Sequence, residues 1–228
     1  HLPHPSKIIL CDLYSKLDAI EAIRDEITTQ LGFQGPVHIA ASRETLPAEF
    51  YDASLIVGAT NVPDILDIDR VAPGTLIVDD SGPHCFEVQS AIQRFETQGD
   101  ILFTEGGVLR APQPVKETRY VPRETTYIPQ LADLGRFLAR GFRNSPHAIT
   151  GCVLSSLLST RFENLGSTLG PIEAAESVKH YQKLDQLGFR SADLHCKHYT
   201  LAGHGVRDFR RRFGHQNNDA LGRNIQKV

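Results

Sequence analysis

The sequence predicts an α/β protein: a Rossmann-like doubly wound parallel sheet followed by C-terminal helices. Two observations predict it. Short apolar runs recur through residues 7–107, and each ends in a small or polar residue. Between them, apolar residues recur at intervals of three and four, the mark of one buried helix face. Strands joined through helices are parallel, and parallel strands are covered on both faces.

Residues 7–12 read as a buried strand ending in the carboxylate of Asp12. Leu17, Ile20, Ile23, Ile27 and Leu31 line one face of a helix over 17–31, which Gly32 closes. Residues 37–41 are a second strand. Residues 54–60 are a third, and their unbroken apolar centre predicts burial on both faces. A Pro73-Gly74 turn launches a fourth strand over 75–80. A helix over 86–97 leads to a fifth strand over 101–104, which empties into Glu105-Gly106-Gly107.

The composition shifts near Arg110. Residues 110–129 carry four prolines and many charges and read as an irregular crossing segment. Helices are expected over 128–142, 148–162 and 171–187, with Gly188-Phe189 ending the last. The expected division is a Rossmann-like domain over 1–110, a helical segment packed on it over 111–200, and a basic tail over 201–228.

Composition narrows the function. The chain has 228 residues, 40% apolar and 22% charged, which is ordinary globular usage. A net charge of −3 gives no general reason to expect nucleic acid or an anionic membrane as partner. The apolar runs are too short to span a bilayer, and the first residues lack a secretory signal pattern. Four scattered cysteines predict free thiols in a reducing, cytoplasmic setting. The sequence contains no methionine, and the expectation is that it is part of a longer product or has lost its methionines.

Candidate site residues gather at the carboxyl ends of the strands, where open α/β sheets bind ligands. Asp12 reads equally as the carboxylate that holds an adenosine ribose or as a plain helix cap or surface loop carboxylate. An acidic residue there favours NAD over NADP, and nearby Lys16 blurs the preference. Thr60 and Asn61 end the third strand, Ser81 and Gly82 follow the fourth, and Gly106 and Gly107 follow the fifth. All are small or polar, as a backbone must be to approach a flat cofactor. The glycine-rich turn for the pyrophosphate belongs about twenty residues before Asp12, so its absence is expected to reflect truncation. Asp79 and Asp80 are adjacent on a strand and point to opposite faces, so they do not chelate one ion, and one is expected to cap the next helix. Cys152 lies near a predicted helix start, where the positive end of the helix favours the thiolate that a nucleophilic cysteine needs. The residues alone read it more readily as a small buried apolar side chain.

The run from Val57-Gly58-Ala59-Thr60-Asn61 to Asp79-Asp80-Ser81-Gly82-Pro83 resembles the cofactor half of shikimate dehydrogenases and glutamyl-tRNA reductases. More of the chain is similar to the long-chain acyl-acyl carrier protein reductases of cyanobacteria. The matching stretches are residues 54–83, residues 99–108 with Glu105-Gly106-Gly107-Val108, Gly151-Cys152 with the apolar helix behind it, and Gly188-Phe189. Together they span most of residues 7–195 in the same order. The resemblance implies that Cys152 forms the acyl-enzyme and that the cofactor is NADPH, while Asp12 keeps NADH open beside it. It implies reduction of a fatty acyl thioester to an aldehyde. Its expected partners are an acyl carrier protein or acyl-CoA and, as a further option, a second copy of the chain. The family's acidic residue three positions after its cysteine is Ser155 here.

Two other readings stand beside it. One is another Rossmann dehydrogenase of the shikimate or glutamyl-tRNA reductase kind. The other is a Rossmann-derived docking module without catalysis. His195-Cys196-Lys197-His198 has donors at metal-like spacing but no fourth partner in register, and reads as a mixed surface segment. Lys179 and His180 have nothing in sequence to position them as acids. Arg207, Arg210, Arg211 and Arg212, interleaved with Phe209 and Phe213, suit an acidic carrier protein or a phosphate, but the usual reading of such a run is a solvated helix face docked through its phenylalanines.

Overall fold

The computed structural model describes residues 5–12, 14–42, 45–116, 145–167 and 173–214. The described helices are α1 (Leu17–Asp25), α2 (Val88–Thr97), α3 (Gly151–Arg161), α4 (Ala174–Gln186) and α5 (Gly203–Phe213). The chain forms two compact units, residues 1–106 with 199–228, and residues 107–198. Sequence reading drew its boundaries at 110 and 200 instead, and the segment it read as a tail belongs to the first unit.

In the first unit, β1 (Ile8–Asp12) pairs in parallel with β2 (Val37–Ala41) across the α1 crossover. The helix expected to run unbroken over 17–31 becomes a π-helical turn over Glu26–Gln30. The hydroxyls of Thr28 and Thr29 donate to the carbonyls of Arg24 and Asp25, competing with the α-helical ladder. Gly32, at φ +66°, turns the chain out of it.

β3 (Leu55–Gly58), β4 (Thr75–Asp79) and β5 (Ile101–Glu105) form a second parallel ladder in that order. Its core is Ile56, Ile77, Ile101 and Phe103 with Val71, Phe86 and Phe95. Phe103 meets Phe86 and Phe95 edge-on, with ring centroids 5.9 and 6.3 Å apart. Beneath it Arg94 reaches both oxygens of Asp100 at 3.0 and 2.9 Å, a bidentate buried pair. Arg94 also donates to the Ile68 carbonyl. The last described helix, α5, packs on this unit. Phe209 is buried, and Arg212 donates to the Gln98 and Gly99 carbonyls just beyond the end of α2.

The five parallel strands form two ladders rather than one continuous sheet. The hydrogen-bond phase says which strand edges are open. Ile8 donates to the Pro36 carbonyl and Ser42 to the Asp12 carbonyl, so Ile8, Leu10 and Asp12 face β2. The backbone groups of Ile9 and Cys11 face the other way. In the second ladder, Leu76 donates to Ser54 and Asp80 to Gly58, so Leu55 and Val57 turn their backbone groups away from β4. The expected two-sided burial of the third strand is corrected here. Leu55 is 46% and Val57 61% exposed, because among the described residues nothing covers that face.

In the second unit, β6 (Val108–Arg110) lies antiparallel to β7 (Ala148–Thr150) on one side and β8 (Arg190–Ser191) on the other. Ala111, Ile149 and Leu154 form its core, joined by Leu109, Val115, Leu184 and Phe189. The helix expected over 148–162 starts only at Gly151, because pairing with β6 holds 148–150 extended. The helix expected over 171–187 is α4. The helix expected over 128–142 lies outside the described residues, and the 110–129 segment is described only to Lys116. No described helix is long and apolar enough to cross a membrane.

Candidate functional site

The carboxyl ends of β3, β4 and β5 converge on one polar cluster. Gly58 ends β3 with no room for a side chain. A Cβ there would lie 2.6 Å from the Cys85 sulfur and 2.7 Å from Asp79 Oδ1. Asp79 ends β4 with its side chain wholly buried. It accepts from the backbone N–H of Ser81 and of Cys85, each at 3.2 Å, and from His84 Nδ1 at 2.9 Å. Burial pushes its carboxyl up, but the hydrogen bonds from Ser81, Cys85 and His84 outweigh that and hold it below its ordinary value. An ionised carboxylate only accepts, so His84 carries its proton on Nδ1. The other ring nitrogen, Nε2, lies 3.4 Å from Glu105 at the end of β5. The cluster thus replaces the cap expected of Asp79 or Asp80. Glu87 caps α2 instead, accepting from Gln89 and Ser90.

The predicted residues around this cluster divide into groups. Thr60 donates its N–H to Ser81 Oγ at 3.1 Å, and Gly82 donates to the Thr60 carbonyl at 3.3 Å. These turns lie side by side, with Asn61 exposed next to them. Gly106 donates to the Asp79 carbonyl at 2.7 Å, and a Cβ on it would come within 2.9 Å of Asp80. Asp12 and Lys16 belong to the other ladder, both exposed. Lys16 holds the N-cap position of α1, so Asp12 is not the cap of that helix.

Gly107 and Cys152 belong to the second unit. The Gly107 carbonyl accepts from the Gly151 N–H at 2.6 Å, which ties it to the start of α3. Cys152 is exposed in the first turn of that helix, behind Thr150 at the N-cap. Its sulfur lies 3.4 Å from Thr150 Oγ1. On α3, Leu154 and Leu158 are buried, while Val153 and Leu157 are 47% and 54% exposed. An uncovered apolar strip therefore starts beside the thiol.

The other thiols differ. Cys85 and Cys196 are buried and Cys11 is half-buried. Burial, reinforced by Asp79, pushes the Cys85 thiol up to about 12. Burial, and then Asp12, also raises that of Cys11. The expectation of a small buried cysteine fits Cys85 and Cys196 and fails for Cys152.

Sequence reasoning missed His84, and it placed Glu105 at the end of the fifth strand without giving it a role. The one signal was a carboxylate at a strand end with a histidine five residues on, and nothing in the sequence says that the turn folds back. Lys179 pairs with Glu176 at 2.8 Å on the surface of α4, whereas His180 is buried, with its Nε2 3.2 Å from the Gly166 carbonyl.

Compared with protein-family models, curated proteins and solved structures, the chain matches none.

Proposed function

We propose that the protein is an NAD(P)H-dependent reductase that converts a fatty acyl thioester to an aldehyde through an acyl-cysteine on Cys152. The observation that carries the reading is the contrast among the four thiols. Cys152 alone is exposed, and it sits at the positive end of an eleven-residue helix, where an anion is favoured. Val153 and Leu157 add an apolar strip of the kind an acyl chain seeks.

The chemistry balances as follows. The Cys152 thiolate adds to the carbonyl carbon of the thioester. The bond to the carrier sulfur breaks, and the carrier thiolate leaves and takes up a proton. The acyl group is then held on Sγ. A nicotinamide cofactor, when bound, would supply the hydride for its reduction. The carbon–sulfur bond to Cys152 breaks as the aldehyde leaves, and the thiolate is restored. The Thr150 hydroxyl lies 3.4 Å from that sulfur.

The residues that would hold the cofactor are Asp12, for the ribose hydroxyls, and Thr60, Asn61, Ser81, Gly82 and Gly106 at the ends of the second ladder. Gly58 and Gly106 lie at the same strand ends, where their missing side chains make room for those of Cys85, Asp79 and Asp80. The two ladders also fit a doubly wound sheet of order 3-2-1-4-5-6. In this reading β1 and β2 are its strands 2 and 3, and β3, β4 and β5 are its strands 4, 5 and 6. The position between them takes strand 1 and the glycine turn after it. What supports this is that, among the described residues, nothing pairs with the outer edge of β1 or of β3.

Intact mass measured after incubation with a fatty acyl thioester tests the proposal. The expected result is one acyl adduct in the wild type and none in Cys152→Ser, with NADPH fluorescence titrations unchanged between the two. An adduct that persists in Cys152→Ser, or no adduct in the wild type, overturns the assignment.

A further inference from the structure

Helix α5 carries four arginines against one aspartate, in a chain whose net charge is −3. Its inner face is fixed by packing. Phe209 is buried. Phe213 lies so close to Gly74 that a Cβ there would come within 3.0 Å of the ring. Gly205 lies against Phe95, where a Cβ would come within 2.5 Å. Positions 205, 209 and 213 are four apart, so they share one side of the helix. His204, Arg207 and Arg211, spaced three and four apart, then form a stripe on the opposite side. Arg210 flanks it, and all four are exposed.

Helix stability does not account for this stripe. Arg212 is the arginine with a structural task, through its bonds to the Gln98 and Gly99 carbonyls at 2.8 and 3.3 Å. Arg211 meets Asp208 at 3.1 Å, but both are open to solvent, where such pairs contribute little. Arg207 and Arg210 have no carboxylate partner among the described residues. Arg207 Nη1 would lie 3.5 Å from a Cβ on Gly203, the first residue of the helix, where the macrodipole disfavours a cation.

We propose that the stripe of His204, Arg207 and Arg211, with Arg210, is the docking surface for an acidic helix of the carrier protein that delivers the thioester. The proposal rests on the acyl-thioester reading above. The stripe spans about 10 Å, the reach of two turns of a partner helix. The net negative charge of the chain opposes a long polyanion, which favours a short acidic segment over a nucleic acid.

Two probes test it on the full chain: a fatty acyl-loaded acyl carrier protein, and the uncharged acyl thioester of N-acetylcysteamine. Carrier binding is measured by calorimetry at low and high salt, and Cys152 acylation by intact mass. In the triple variant Arg207→Gln, Arg210→Gln, Arg211→Gln, the carrier Kd should rise about 10-fold or more and lose most of its salt dependence. Acylation from the N-acetylcysteamine thioester should stay within about twofold, since that donor carries no charge for the stripe to meet. The matching triple lysine variant should recover carrier binding, which separates lost charge from lost folding. An unchanged carrier Kd in the glutamine variant overturns the proposal. So does a single-stranded oligonucleotide that binds the wild type more tightly than the carrier and is lost in the variant. Salt-sensitive carrier binding without acylation by either donor overturns the thiol chemistry and leaves the docking surface standing. Acylation without salt-sensitive carrier binding does the reverse.

Discussion

β5 and β3 flank β4 in one ladder, are comparably apolar, and end in opposite environments. Ile101, Leu102 and Phe103 of β5 are all buried, whereas Leu55 and Val57 of β3 are open. The difference lies in what packs on each strand. β5 has α2 and α5 against it, with Phe86, Phe95 and Tyr199 around Phe103. No described element covers the outer face of β3. Apolar content creates the demand for burial, and only a neighbouring element meets it. The same contrast recurs on α3, where Leu154 and Leu158 are covered and Val153 and Leu157 are not.

The strongest test of this contrast is Phe103→Ala. Removing a fully buried ring should cost about 3–5 kcal/mol in urea unfolding. A loss under about 1 kcal/mol would mean that the β5 side is as loosely packed as the β3 side.

The polar cluster at the strand ends gives a smaller, pH-dependent effect. Asp79 has a folded pKa below its ordinary 3.8, so its contribution to stability is fully present above that value. As pH falls through it, the unfolded chain takes up the proton first, and the contribution is lost toward the lower folded pKa. Asp79→Asn should therefore cost about 1–3 kcal/mol at neutral pH, and the gap to wild type should close below about pH 4. Urea midpoints across pH 3 to 7 read this directly. A gap that stays constant would mean that the Asp79 hydrogen bonds do not depend on its charge.

Neighbouring residues on β3 supply the finest comparison. Gly58→Ala places a methyl against Cys85 and Asp79 and should cost about 1–3 kcal/mol. Val57→Thr, one residue away on the open face, should change stability by no more than about 0.5 kcal/mol. A large loss for Val57→Thr would show that a further strand or helix covers β3 in solution, as the doubly wound reading requires.

Much of the architecture was legible because it is local. The strands of the first unit were visible as short apolar runs with polar ends, and α2 as a three- and four-residue periodicity. Three features were not legible. Residues 148–150 look helical by pattern but pair with β6, a strand some forty residues earlier in the chain. The buried role of Asp79 depends on a turn that returns His84 and Cys85 to it. The exposure of Cys152 depends on which face of α3 finds a partner, and an apolar helix does not state that in its sequence.

The sequence by itself determined the α/β class, the parallel direction of the first five strands, and the placing of small and polar residues at their carboxyl ends. These follow from periodicity and from turn chemistry within a few residues. Tertiary structure alone decided that these strands form two ladders, that Asp79 holds His84, and that Cys152 is the thiol left open. Each of those outcomes depends on contacts between segments far apart in the chain, and local preference carries no record of which segments will meet.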